Sequence, residues 1–312
     1  MAITIQDVAK AAGVSVATVS RVLNGGQNVR AETAALVMSK VESLGYRPNL
    51  LGRHLRMNET RTILVIAATI SNTLTAKVIS GIEEAGRETG YSIVVGTTND
   101  DAARENAHLN LLRNRFVDGI IILSTVMSAE EMRSLGKRHH IIQCCEYLPG
   151  TGVPHVAIDN RRAARDAVQY LISGGRRRIA YMGVVNHLIS SSERYRGYTD
   201  ALAEAGIPLD RALIADGNYG FRSAIKIMND FLAKGSSPDA LFCISDRMAA
   251  GAIRALKDNG VGIPGDLSVV GFDNTDTAYI SDPGITTVAQ SPREMGDKAM
   301  RLMVRRLHGE KR

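Results

Sequence analysis

The sequence predicts a two-part molecule, an all-α head with a conditional helix behind it and an α/β body of two doubly wound parallel-sheet lobes. Three observations carry this. The first 48 residues divide into three short helical segments separated by Gly and Ser signals. From Thr62 onward, strand-length runs of Val, Ile and Leu alternate with amphipathic helical segments, the pattern of parallel strands buried on both faces. Eight such runs exceed one comfortable open sheet, so two similar lobes are expected side by side.

Thr4 can N-cap a helix over Ile5 to Ala12, with Asp7 near its positive end, and Gly13 closes it. Ser15 can cap a second helix from Val16 to about Leu23, leaving only Gly13, Val14 and Ser15 as the turn. A third helix should run from about Ala31 to Leu44, with Val37, Val41 and Leu44 on one face and Gly45 past its end. Pro48 forces Arg47 out of the helical region and ends a first domain over residues 1–48. The segment NLLGRHLRMNET, residues 49–60, has two leucine patches among basic side chains and reads as a helix that folds only against something.

In the body, residues 61–312, strands are expected at 63–68, 91–96, 119–123 and 140–145, then at 178–183, 212–216, 240–244 and 267–272. VPHVAIDN (153–160) is the expected crossover and ITTVAQ (285–290) the return. The first lobe then spans about 61–159 and 290–312, the second about 160–289.

A chain of 312 residues with 45% hydrophobic content can bury a full core. Residues 1–58 hold seven Lys and Arg against three Asp and Glu, a basic head on a nearly neutral body. Such a head suits phosphates, and a solvated charged face has the same count. No run approaches the roughly 18 to 20 apolar residues needed to cross a bilayer. MAITIQDVAK lacks a basic lead and an apolar core, so a cytoplasmic protein without membrane partners is expected. Cys144, Cys145 and Cys243 lack CxxC spacing and read as small buried apolar groups. The phosphate cradles GxGxxG and GxxxxGK[ST] are absent, as is the GxSxG elbow, and His139 and His140 read as surface histidines. No cofactor, metal or enzymatic constellation is expected.

Two helices joined by a three-residue turn, with Ala9 and Val19 placed to pack together, fit either a plain αα corner or a DNA-reading helix-turn-helix. TIQDVAKAAGVSVATVSRVLNG (4–25) closely resembles the opening of the lac repressor family of bacterial transcription regulators. The resemblance continues through LGYRPN (44–49), LLGRHLR (50–56), GIEEAGRETGY (81–91), FVDGIII (116–122), AIDN (157–160), SERYRGY (192–198), SDRMAAGAIRAL (245–256) and IPGDLSVVGFDN (263–274). EYLPGTGVPHVAIDN (146–160) and the GFDN block are most similar to the cytidine-repressor branch.

The resemblance implies a homodimeric repressor on a near-palindromic operator in double-stranded DNA. Val16, Ala17 and Arg21 would read base edges in the major groove. Of these, Arg21 could hold guanine bidentately, leaving apolar contact to the other two. Thr4, Ser15, Thr18, Ser20, Asn24 and Asn28 would meet phosphates. Leu50 to Met57 corresponds to a hinge helix whose Leu55, followed by Arg56, wedges into the minor groove. Arg30 departs from the family's usual Ser or Thr cap, so a weaker start to the third helix is expected.

For the body, the resemblance is to periplasmic sugar-binding proteins, two lobes closing on an effector that is a sugar, sugar phosphate or nucleoside. The implied pocket is Asn72, Thr73, Glu146, Ser190, Arg194, Tyr219, Ser245 and Asp273. Arg194 and Asp273 suit vicinal hydroxyls, or could instead pair with each other across the cleft. The resemblance also implies an apolar strand segment after the helix of 293–310. Residues 293–312 instead carry seven basic and three acidic side chains, so either the sequence stops short of that strand or the first lobe closes differently. A solute-binding transport protein would share the body but not the basic head.

Overall fold

Thr4 opens the molecule with a capping box: its side chain accepts from the Asp7 backbone N–H, and Asp7 reaches back to the Thr4 backbone. The computed structural model describes residues 3–23, 29–46, 59–184, 188–234 and 238–309. It divides into two units, Met1–Glu59 and Thr60–Arg312. The first contains α1 (Ile5–Ala12), α2 (Val16–Leu23) and α3 (Ala31–Ser43). Gly13 ends α1 at φ 64°, the left-handed conformation that glycine adopts without a Cβ penalty. At the start of α3, Arg30 makes no side-chain capping bond, as its chemistry predicts. Val8, Ala9, Ala12, Val19 and Val37 form the small buried core, with Val41 and Leu44 packed against it. Ala9 and Val19 share that core.

The second unit has two five-stranded, all-parallel sheets. The first sheet is β1 (Thr62–Ala67), β2 (Ser92–Thr97), β3 (Gly119–Ile122), β4 (Ile141–Cys144) and β5 (His155–Val156), in spatial order β2-β1-β3-β4-β5. The second is β6 (Ile179–Gly183), β7 (Ile214–Asp216), β8 (Ala240–Cys243), β9 (Ser268–Asp273) and β10 (Thr286–Ala289), in order β10-β9-β8-β6-β7. The expected strands are all present, displaced at most by two residues at an end, and the two connecting segments supply β5 and β10. Period-two alternation feeds two cores at once: Ile63 and Val65 face one side of β1, Leu64 and Ile66 the other.

The helices are α4 (Thr73–Thr89), α5 (Ala102–Arg113), α6 (Ala129–Arg138), α7 (Asn160–Ser173), α8 (Ile189–Glu204), α9 (Phe221–Ala233), α10 (Asp246–Asp258), α11 (Asp276–Ile280) and α12 (Pro292–Leu307). After β10 the chain returns to the first sheet as α12, which buries Met295, Ala299, Met300 and Met303 with Ile63, Val65, Val78 and Ile82. Helices α4 and α12 cross on paired glycines. A Cβ on Gly81 would stand 2.1 Å from the Arg293 carbonyl oxygen, and one on Gly296 2.1 Å from that of Val78. Among the described residues no strand follows α12, and this basic amphipathic helix covers the first sheet.

β2 differs from the sequence reading. Its run was expected to be buried on both faces, yet Val94 and Val95 are 45% and 41% exposed, because β2 is an edge strand. No helix among the described residues is long and apolar enough to cross a membrane.

Candidate DNA-reading helix and effector cleft

α2 is two-faced. Val19 is fully buried, whereas Val16, Ala17 and Arg21 are all exposed, Val16 to 41%. Helical spacing accounts for most of the pattern: positions 17 and 21, four apart, share the side away from 19, while 16, three before 19, lies at the border of the buried face. At the base of this face the Ser15 hydroxyl accepts from the Thr18 backbone N–H at 3.1 Å and pairs with the Thr18 hydroxyl at 2.9 Å. Two hydroxyls share that bond, so one O–H of the pair remains to donate outward, as to a phosphate. Thr4 is different, since its hydroxyl donates to Asp7 at 2.7 Å, and a phosphate would have to compete with that carboxylate. Ser20 lies half-buried on α2. Asn24, Asn28, Leu55 and Arg56 lie outside the described residues.

In the second unit the predicted pocket residues sit at, or just beyond, the carboxyl ends of the strands, where open parallel sheets place their ligands. Arg194, on α8 and 6% exposed, is thoroughly tied down. Its Nε donates to Asn160 Oδ1 at 2.9 Å, its Nη1 donates to the Ile244 carbonyl at 2.7 Å, and its guanidinium lies 3.7 Å from the Phe272 ring centroid. Its Nη1 also faces Asp273 Oδ1 at 3.7 Å. Asp273 ends β9 and accepts a hydrogen bond from Gln290 at 2.6 Å. The Arg194–Asp273 pair therefore forms within one lobe, because α8 and β9 both belong to the second.

The direct link between lobes among the predicted residues is a different pair. Glu146, just after β4, accepts from the Ser190 backbone N–H at 3.1 Å and from the Ser190 hydroxyl. An exposed Lys77–Asp276 ion pair at 2.9 Å makes a second bridge. Tyr219 joins through Ser191, hydroxyl to hydroxyl at 2.8 Å. Ser245 caps α10 by accepting from the Met248 N–H, and Asn72 caps α4 by accepting from the Leu74 N–H. Asn72 and Thr73 are exposed. A cavity of about 450 Å³ places the first turn of α4 beside Asp273 and Gln290.

Burial pushes the Asp273 carboxyl up to about 6, and Arg194 pulls back only part of that rise. Asp246 behind it is also raised, chiefly by burial, although Thr287 and Thr275 donate to it. Asn218, Tyr219, Asp273 and Asn274 all hold positive φ, backbone strain of the kind that collects at binding sites. The cysteines are free thiols, and burial holds Cys243 far above the range where a thiolate forms.

Comparison with known proteins decides what carries this geometry. The description "bacterial regulatory proteins, lacI family" matches residues 4–49, and "periplasmic binding protein-like domain" matches residues 168–312. Catabolite control protein A of Priestia megaterium is 36% identical, with 99% of this chain and 94% of that protein aligned. The transcriptional repressor CytR of Escherichia coli K12 is also 36% identical, over 99% of this chain and 91% of its own. The chain belongs to the lacI family of bacterial regulatory proteins. It is a DNA-binding transcriptional regulator, in a family of regulators and not of enzymes. A structure of the lac repressor dimer, bound to operator and the anti-inducer ONPF, superposes with a TM-score of 0.91 at 25% identity, covering 99% of this chain and 94% of that one.

Sequence reasoning missed Asn160, Phe272 and Gln290 as partners of the Arg194–Asp273 pair, although all three fall in segments it had marked. Asn160 and Phe272 stand in the AIDN and GFDN blocks, and Gln290 ends the return strand segment. Their signal was polar or aromatic character at a strand's carboxyl end, which marks a position without naming its partner.

Proposed function

We propose that this regulator acts as a cytoplasmic homodimer on a near-palindromic operator, with α2 in the major groove and a small polyhydroxylated effector, sugar or nucleoside, between the lobes. The observation that supports the DNA reading is the exposure of Val16, Ala17 and Arg21 on a helix held down by buried Val19, with Ala17 and Arg21 on the side away from it. Arg21 carries the polar readout, Val16 and Ala17 fit thymine methyls, and the Ser15–Thr18 pair and Ser20 hold phosphates. Residues 1–48 serve as the reading head and 49–60 as the hinge carrying Leu55 and Arg56. The remainder binds effector and dimerises. Effector closure changes the hinge and so the operator affinity.

Operator binding is expected to weaken steeply with salt, and Arg21→Ala to cost about 1–3 kcal/mol against the operator while sparing random DNA. Anisotropy titrations on both duplexes measure this, and an equal loss on both would assign Arg21 to the phosphates. Leu55→Ala is expected to lose a few kcal/mol of specific binding with most non-specific affinity kept, since the wedge acts only in a kinked duplex. Operator binding as tight as the parent's would remove the hinge from the mechanism.

A further inference from the structure

Three basic runs that sequence reading left without a role, RNRF (113–116), KRHH (137–140) and RRLH (305–308), meet at one edge of the first sheet. Parallel topology brings them there. RNRF lies between α5 and the start of β3, and KRHH between α6 and the start of β4; β3 and β4 are neighbours. α12 ends at the same edge, where Met303 packs against Gly119 at the start of β3. Arg113 and Arg138 line one cavity, and the charge of Arg306 acts on His140. This edge is opposite the effector cleft, which opens at the carboxyl ends of the strands.

Arg113, Arg115, Lys137, Arg138 and Arg305 are exposed. Arg113 donates to the neutral side chains of Asn106 and Asn110, and Arg138 to Ser134, so these bonds leave their charge undiminished. His139 is held below its usual value by burial and by Arg138, Arg113 and Arg115, so the like charges act on one another. Helix C-termini attract cations, but that preference favours one or two per helix and not a shared patch. Phe116 stands 60% exposed within it.

The chain arriving from the reading head enters at this edge. Asp118 accepts from the Thr60 N–H at 2.7 Å, the Thr60 hydroxyl at 2.9 Å and the Arg61 N–H at 2.7 Å, two residues beyond Phe116.

We infer that the strand-entry edge of the first lobe, built on Arg113, Arg115 and Arg138 with half-buried Arg306 beside His140, is a second DNA surface that holds duplex phosphates. It rests on the DNA-binding reading above and extends it to the body. The surface is sequence-blind, since exposed cations on helix ends and turns meet phosphates and reach no base edge.

The test uses the full chain and a duplex of random sequence, with affinity followed from about 50 to 200 mM salt. The variant Arg113→Gln/Arg115→Gln/Arg138→Gln is expected to flatten the log–log salt slope by about 2–3 per subunit and to weaken low-salt binding at least about tenfold. A control variant, Arg161→Gln/Arg254→Gln in the second lobe, keeps the parent slope, and melting curves establish that both variants are folded. A parent slope retained in the triple variant overturns the second surface while leaving the head's role intact. A parent that binds no duplex at any salt overturns the DNA-binding reading, and this surface with it.

Discussion

Arg194→Ala is expected to destabilise the second unit by about 3–5 kcal/mol, the usual consequence of removing one partner of a buried ion pair. Four contacts go together. Asp273 loses its cation, Asn160 Oδ1 and the Ile244 carbonyl lose a donor, and Phe272 loses the guanidinium stacked at 3.7 Å. The largest part is the penalty on Asp273, only 8% exposed, which must then hold an uncompensated charge or take up a proton, with Gln290 still donating to it. Asp273→Asn in the same background is therefore expected to recover part of the loss, because a neutral amide needs no counter-charge. Urea unfolding of the single and double variants measures this. A single variant within about 1 kcal/mol of the parent would show that the pair is not structural.

How far the sequence reached depended on the kind of signal. The strands were legible because burial on both faces leaves continuous aliphatic runs, and β1 and β3 match theirs closely. The edge position of β2 was not, since YSIVVG has the same composition as a central strand and only pairing order distinguishes them. At α2 the buried side was legible because helical period fixes which side Val19 takes, and that leaves Ala17 and Arg21 exposed. The cleft was legible only as a set of residues. That Arg194 and Asp273 share a lobe, and that Glu146 and Ser190 bridge the two, depends on which strand each follows in space. The capping roles of Asn72 and Ser245 follow from helix starts that the sequence marked only approximately.

Between about pH 4 and pH 6 the contribution of Asp273 to the stability of the second unit is expected to fall as pH rises, opposite to the ordinary behaviour of carboxylates. Asp273 supplies the sign. Its carboxyl titrates near 3.8 when unfolded and at about 6 when folded, so in this window the native state binds the extra proton. Stability is then highest below the unfolded value and declines until the folded value is passed, by about 3 kcal/mol in all. Asp246, also raised by burial, adds in the same direction. Asp200, lowered chiefly by its bond to Arg161, has the opposite sign below the ordinary carboxylate range, and His139 and His140, lowered chiefly by burial, oppose the decline as pH approaches 6.5, equally in parent and Asp273→Asn. Effector binding should run the other way. A ligand hydroxyl donating to Asp273 favours the carboxylate, so affinity rises through pH 6 as the proton leaves. Chemical denaturation at closely spaced pH values, parent against Asp273→Asn, isolates the contribution: the variant should lose the decline. If the two profiles are parallel from pH 4 to pH 7, Asp273 is not the group that titrates.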